Sequence, residues 1–267
     1  MTQEQVSEIL DRVAMAYASC KSYRDSGESI DLSEGRLSSG TDQTPSFKFS
    51  TAFIRPRQFR FEFNFEMRGQ AQDSGHNVAW QAGDSAHTWS KGRDEIQIFP
   101  NRISALRNSL SEPALSTLVL PHLLNRRKSR SELESRYGAT TYGGELEFEG
   151  TACYRLEHGA PLDCWSGTER RLVYIEIASH LIRKTEDERV AVVPRMIDFY
   201  EGQIKNLEAS NDDTADEVNT LETSVEHLRR GESRFFTIAN RTTIYQPQLD
   251  CEIERETFEF KPPKDSG

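Results

Sequence analysis

Residues 47–65 contain two runs in which phenylalanine alternates with polar residues, and no other stretch constrains the fold as strongly. Successive side chains of a β-strand point to opposite faces, so each run places its phenylalanines on one face and its polar side chains on the other. Pro56 lies between the runs, where its fixed φ favours a chain reversal. The pattern therefore predicts an antiparallel hairpin whose aromatic face is formed by Phe47, Phe49, Phe53, Phe59, Phe61, Phe63 and Phe65.

The composition limits the partners of the chain. Its 267 residues carry a formal net charge of −10 at pH 7, and the mean hydropathy is −0.68. Nucleic-acid-binding proteins generally present a basic surface, so we expect no nucleic-acid partner.

No run approaches the roughly 18 apolar residues of a membrane-spanning helix, so we expect no transmembrane segment. Residues 1–5 lack the features of a signal peptide, so the chain is either cytoplasmic or has lost an export signal.

Helical periodicity occurs in three regions. Apolar residues at the i, i+3, i+4, i+7 spacing predict an N-terminal helix over residues 3–18. Leucine-rich residues 103–124 predict a helical stretch broken at Pro113 and Pro121, and residues 194–230 predict a helical hairpin inserted between strands. Most of the remaining chain alternates or is bounded by turn residues, which predicts antiparallel strands up to two final ones over residues 235–245 and 251–260.

The four cysteines, Cys20, Cys153, Cys164 and Cys251, include no CxxC pair and so lack the usual zinc-site spacing. Cys153 and Cys164 are equidistant from a turn that we expect at His158–Gly159. Directly opposed residues of a hairpin lie close enough for a disulfide at some ladder positions, which makes this pair the candidate bridge. The alternative is two free thiols, the state expected in a reducing compartment.

Motifs for catalysis or cofactor binding are absent from the sequence. It contains no GxSxG nucleophile elbow, no P-loop, no GxGxxG and no HExxH. The six histidines are scattered singly, and the alternating Glu145, Glu147 and Glu149 are better explained by a solvated strand face than by acid–base catalysis. We therefore expect a protein that is not an enzyme, with no cofactor and no metal site.

Several short motifs, in this order along the chain, resemble the outer-membrane lipoprotein carrier (LolA/LolB-like) superfamily, especially its secreted branches. They are residues 16–17 (AY), 22–27 (SYRDSG), 53–56 (FIRP), 59–63 (FRFEF), Gly150, 153–156 (CYRL), 174–176 (YIE) and 181–184 (LIRK). The resemblance implies a curved antiparallel sheet that forms an unclosed half-barrel, with helices over its concave face. It also implies a periplasmic or secreted location and carriage of acyl chains. The present chain is longer than the usual carrier, and residues 194–230 are additional.

These observations predict an α+β fold: an unclosed antiparallel half-barrel with an N-terminal helix, covering helices and an inserted helical hairpin, as a single domain over residues 1–267. The expected function is non-enzymatic binding of a lipid or a lipidated protein. The expected apolar site comprises Phe47, Phe49, Phe53, Phe59, Phe61, Phe63, Phe65, Trp80, Trp89 and Leu118.

Three alternatives remain open from the sequence. The same rings can form a packed core without a void. The chain can also be a sensor or regulator that docks a protein partner, which an exposed apolar stripe on residues 194–230 would favour. A hydrolase with an unrecognised site would instead show a cleft in which titratable groups with perturbed pKa values converge.

Overall fold

The computed structural model describes residues 3–31, 45–67, 70–91, 95–109, 123–124, 133, 140–162, 167–209, 215–231 and 235–263. The helices within these ranges are α1 (Gln3–Ser19), α2 (Arg102–Ser109), α3 (Val193–Glu208) and α4 (Ala215–Arg230). The strands are β1 (Ser22–Asp31), β2 (Pro45–Ile54), β3 (Gln58–Met67), β4 (Gln70–Ala82), β5 (Ser85–Ser90), β6 (Gln97–Phe99), β7 (Thr141–Phe148), β8 (Thr151–Leu162), β9 (Gly167–Glu176), β10 (Ile182–Val192), β11 (Phe235–Tyr245) and β12 (Gln248–Leu249).

The described strands form one antiparallel sheet in the order β6-β5-β4-β3-β2-β1-β11-β10-β9-β8-β7, and the short β12 pairs with β1. Strands β6 and β7 are its two ends, and no ladder within the described ranges joins them, so the sheet is unclosed. The pairing of β1 with β11 joins the N-terminal half of the sheet to the C-terminal half. The predicted α+β class, with an unclosed antiparallel sheet, an N-terminal helix and a helical pair, is confirmed.

Helix α1 covers one face of this sheet, which we call the inner face; the opposite one is the outer face. The buried residues of α1 recur at helical spacing, as the periodicity predicts, and they are Val6, Ile9, Leu10, Val13, Ala14 and Tyr17. They belong to the same apolar cluster as the phenylalanines of β2 and β3. The main core of the described chain therefore lies between the inner face and helical segments.

Helices α3 and α4 form the inserted pair between β10 and β11. Pro194 at the start of α3 suits the first turn of a helix, where its missing N–H loses no hydrogen bond. The base of the pair is anchored in a small cluster of Ala191, Val193, Met196 and Leu228. That the whole chain is a single domain stays a prediction.

Two expectations about strands are wrong. Strand β8 runs straight through His158–Gly159, where a turn was expected, and Cys153 faces Glu176 of β9. The twelve residues of β8 continue to Leu162 because they pair along their length with β9. Residues 251–254 lie outside regular structure and a 3-10 turn, Arg255–Phe258, follows, so the second of the two expected final strands does not form.

Candidate functional site

The candidate site begins with the aromatic side of the β2–β3 hairpin. The register places Phe49 opposite Phe63, Phe53 opposite Phe59 and Thr51 opposite Phe61. Alternation then directs one set of side chains from both strands to the inner face. We call the following six side chains, each no more than 4% exposed, the phenylalanine wall: Phe47, Phe49, Phe53, Phe59, Phe61 and Phe63.

The rings of the wall contact one another and, across β1, the ring of Tyr245 on β11. The ring centroids of Phe61 and Phe63 are 5.9 Å apart, and those of Phe49 and Phe61 are 6.4 Å apart. The Phe49 ring also lies 5.5 Å from that of Tyr245, in an edge-on arrangement. Gly27 lies beneath this contact, since a Cβ atom built on it would be 2.4 Å from Phe49 Cζ. The wall thus extends as one aromatic surface from β3 to β11.

Helical residues cover this surface. Besides α1, the cover includes Leu106, Leu123, Leu124 and Leu133, all buried in the same cluster as the wall, and we call these four the leucine cover. The four cavities formed by described residues alone are not lined by any ring of the wall. Because each of these rings is at most 4% exposed, an apolar ligand that reaches them has to displace part of their cover.

Arg55, in the turn between β2 and β3, is hydrogen-bonded to both the end of α1 and the leucine cover. Its guanidinium donates three hydrogen bonds to carbonyl oxygens: Nε to Cys20 at 2.6 Å, Nη2 to Tyr17 at 2.8 Å and Nη1 to Leu124 at 2.9 Å. Helix α1 has no basic residue in its last turn, so Arg55 supplies the positive charge that the C-terminal end of a helix favours. One side chain thus links the end of α1 to the leucine cover.

A buried polar pair interrupts the apolar inner face. Asp25 of β1 is 2% exposed, lies directly opposite Thr51 of β2, and accepts a hydrogen bond at Oδ2 from the Tyr23 hydroxyl at 2.8 Å. Burial raises the pKa of Asp25 to about 6, although the Tyr23 hydroxyl and Thr51 favour the ionised form. Burial also raises the pKa of Tyr23 and of nearby Tyr17, so both stay neutral.

Trp80 and Trp89 do not join the wall, which corrects the sequence prediction. Ala79 is the residue opposite Phe61, whereas Trp80 faces Arg60, so Trp80 lies on the outer face. Trp80 and Trp89 form a separate cluster there with Val78. Phe260 covers this cluster, with its ring centroid 4.9 Å from that of Trp80 and 5.4 Å from that of Trp89.

The remaining predicted residues are Phe65, Leu118 and the candidate cysteine pair. The backbone of Phe65 pairs with Phe47, but the Phe65 side chain, Leu118 and Cys164 lie outside the described residues. Cys153 is buried with a free thiol, and its pKa is raised by burial and by nearby Glu176. Its position opposite Glu176 removes the geometric basis for pairing it with Cys164.

The described residues supply little other chemistry. Among them, no group of three or more histidine, cysteine, aspartate or glutamate side chains is placed to hold a metal ion. His76 Nε2 lies 2.7 Å from Glu62 Oε1, an ion pair or hydrogen bond on the outer face. None of the described helices combines the length and apolar character required to span a bilayer.

Comparison with known proteins finds similarity to solved structures only. No protein-family model matches it, and no curated protein matches its sequence. The structure is similar to LprF from Mycobacterium bovis, with a TM-score of 0.45 and 8% identity over 94% of this chain and 95% of that one. A DUF1329 family protein from Desulfovibrio piger gives a TM-score of 0.36 and 9% identity over 96% of both chains.

A LolA superfamily protein from Nitrosomonas europaea gives a TM-score of 0.32 and 8% identity over 95% of this chain and 96% of that one. All three matches span nearly the whole chain at low identity, and they concern overall architecture alone.

Proposed function

We propose that the protein is not an enzyme and that it binds and carries a hydrophobic ligand, a lipid or the acyl chain of a lipidated protein. The observation that carries this proposal is the phenylalanine wall, a continuous aromatic surface that helix α1 and the leucine cover bury. Among the described residues, this cover contacts the wall through apolar side chains and not through a strand ladder. Contacts between side chains can be exchanged for contacts with an apolar ligand.

The energetics favour exchange of the cover for a ligand. Burial of each methylene group contributes about 0.8 kcal/mol, and burial of a leucine side chain contributes about 1.5–3 kcal/mol. An acyl chain that replaces two or three leucines on the wall therefore restores most of the burial that their displacement removes. Such near-balance suits a carrier, because the ligand can be loaded and released without a large free-energy change in either direction.

In this proposal, the hydrogen bonds of Arg55 contribute to the free energy needed to displace the leucine cover from the wall. Its bond to the Leu124 carbonyl joins the leucine cover to the end of α1 and to the β2–β3 turn. Hydrogen bonds from a charged donor contribute about 1.5–3 kcal/mol each. Loss of the bond to Leu124 upon opening is within the range that binding of an acyl chain can offset.

A matched pair of variants tests the proposed function. Both Phe61 on the inner face and Trp89 on the outer face are buried aromatic residues. Phe61→Ala is expected to abolish binding of a fluorescent acyl probe, whereas Trp89→Ala is expected to retain it even if both variants unfold at lower temperature. Equal binding by the two variants, or no binding by the wild-type protein, would contradict the proposal.

A second candidate function is recognition of a protein partner through the inserted helices. Phe199 on α3 is 37% exposed, and Leu207 and Leu221 line a groove of about 590 Å³ between α3 and α4. These three apolar side chains lie outside the buried cluster at the base of the helical pair. If the function is protein recognition, Phe199→Glu abolishes co-purification of a partner and leaves acyl-probe binding intact; loss of probe binding as well would contradict a separate role for the helices.

We further propose a periplasmic or secreted location, because a carrier of acyl chains acts between membranes or outside the cell. Fractionation of the native cells tests this location. Recovery of the protein in the envelope or external fraction supports it, and recovery with cytoplasmic markers alone contradicts it.

A further inference from the structure

The groove between α3 and α4 has the shape that a third helix requires. Leu207 and Leu221 form its apolar part, one from each helix, and its volume is about 590 Å³. Phe199, which is 37% exposed, lies one helical turn before Gln203 of the groove and extends it along α3. From Phe199 to Leu207 the helix rises about 12 Å, which matches about two turns of a partner helix laid alongside.

The charge of the groove is of one sign. Among its described lining residues Asp216 and Glu217 are acidic, and none is basic. Lys205, the basic residue in the last turn of α3, lies by helical spacing on the opposite flank of the helical pair. An ion pair between Glu201 and Arg229 joins the two helices on that same flank. A partner that fills the groove therefore meets negative charge at its rim.

Gly202 lies in the middle of α3, next to the groove. A Cβ atom built on it would meet no other atom within 4 Å, so packing within the described chain does not require glycine there. Glycine also disfavours a helix relative to alanine. Gly202 is three residues after Phe199 and four before Asn206, so the three positions are neighbours on the helix surface. The missing side chain leaves room for another helix to approach the backbone of α3.

We propose that the groove binds a partner protein through a basic amphipathic helix. The apolar side chains of that helix contact Phe199, Leu207 and Leu221, and lysine or arginine side chains on its flank contact Asp216 and Glu217. This inference rests on the second candidate function, protein recognition through the inserted helices, and specifies the chemistry of the partner. A second copy of the chain suits the rim poorly, because its formal net charge is also negative, −10 at pH 7.

Three synthetic peptides of equal length test this chemistry with the full-length protein at pH 7.5 in about 150 mM NaCl. The first has leucine along one helical stripe and lysine elsewhere, the second has glutamate in place of every lysine, and the third is a scrambled version of the first without a stripe. Fluorescence anisotropy of the labelled peptides measures their affinities. We expect the first to bind at least about tenfold more tightly than the others, because it alone combines the apolar stripe with positive charge.

Two double variants locate the binding. Asp216→Asn with Glu217→Gln removes two charges from the rim and is expected to weaken binding of the first peptide about fivefold, the effect of two exposed ion pairs. Glu208→Gln with Glu222→Gln removes two charges from exposed positions on the opposite flank and should keep the wild-type affinity. This matched control excludes a general attraction of cations to an acidic protein.

Gly202→Gln tests the approach to α3 independently of charge. Glutamine favours a helix more than glycine does, so this variant should unfold at a slightly higher temperature than the wild-type protein. Its affinity for the first peptide should nevertheless fall severalfold, because the added side chain occupies space that the partner helix needs. Loss of affinity in a more stable protein cannot result from unfolding of the helices.

The outcomes separate this partner class from protein recognition in general. Binding of the first peptide that weakens in the rim variant and in Gly202→Gln, and persists in the control, supports the proposal. Equal or tighter binding of either other peptide, or equal affinities in the two double variants, overturns it and leaves protein recognition by the helices standing.

Two further outcomes also overturn the proposal. One is self-association of the wild-type protein in sedimentation experiments that Gly202→Gln abolishes, because the groove then holds a second copy. The other is failure of the wild-type protein to bind any of the three peptides. In that case the second candidate function itself fails only if Phe199→Glu also leaves co-purification of a partner unchanged.

Discussion

Replacement of Asp25 by asparagine should stabilise the protein at neutral pH, because it removes a buried negative charge. The carboxyl group is 2% exposed, and burial raises its pKa from 3.8 to about 6. A difference of about 2 pH units between the folded and unfolded states corresponds to about 3 kcal/mol. Asparagine retains an oxygen that accepts the hydrogen bond from the Tyr23 hydroxyl, so the substitution changes charge more than shape.

Proton binding by Asp25 sets the direction in which the free energy of unfolding changes with pH. Between about pH 4 and pH 6 the folded state holds a proton on Asp25 that the unfolded state has lost, so the free energy of unfolding decreases as the pH rises. Below about pH 4 both states are protonated, and above about pH 6 both are ionised, so this contribution is constant. Wild-type protein therefore loses about 3 kcal/mol through this window, and Asp25→Asn does not.

Urea unfolding of both proteins at a series of pH values from 4 to 7.5 measures this contribution. The difference in unfolding free energy between Asp25→Asn and wild type should increase by about 3 kcal/mol across the range in favour of the variant. Other carboxylates titrate in both proteins and cancel in this difference. A difference that is independent of pH, or one that decreases as the pH rises, would refute the account of a carboxyl group destabilised by burial.

Three further predictions concern the wall, the Arg55 link and the buried thiol. In denaturant titrations, Phe61→Ala should lower the free energy of unfolding by about 3–5 kcal/mol, because the ring is buried. Phe199→Ala should lower it by less than about 1 kcal/mol, because that ring is partly exposed on α3. Similar losses in the two variants would contradict this difference in burial. Arg55→Gln removes charged hydrogen bonds to the carbonyl groups of Tyr17, Cys20 and Leu124, so it should accelerate amide hydrogen exchange at the end of α1. Arg57 lies in the same turn with an exposed side chain, so Arg57→Gln should leave this exchange rate unchanged. Cys153 is buried and its pKa is raised, so mass spectrometry after thiol labelling at pH 8 should show it unmodified until the protein unfolds; rapid labelling of native protein would contradict this placement.

The alternation of residues 47–65 was sufficient to predict the β2–β3 hairpin and its aromatic face, because strand periodicity is local. The helical pair over residues 194–230 was predictable for the same reason. Which face Trp80 occupies depends on the β3–β4 register, since a shift of one residue moves a side chain to the other face. The turn expected at His158–Gly159 was wrong because glycine and histidine are accommodated within the long β8–β9 ladder.

Arg55 and Asp25 were missed because their roles depend on contacts distant in sequence. Arg55 meets carbonyl groups from α1 and from Leu124, and no local pattern links these segments. For Asp25 a signal existed, because it alternates with Tyr23 and Gly27 on one strand. Its significance emerges only when the register places it opposite Thr51 within the wall.

The central claim is that the phenylalanine wall carries an apolar ligand. Native mass spectrometry of protein purified from its own cells, followed by denaturing lipid extraction, tests this claim most directly. We expect a co-purifying acyl species at close to one molecule per chain in the wild-type protein and in Trp89→Ala, and its loss in Phe61→Ala. A ligand-free mass for the wild-type protein, with no uptake of an added acyl probe, would contradict the account.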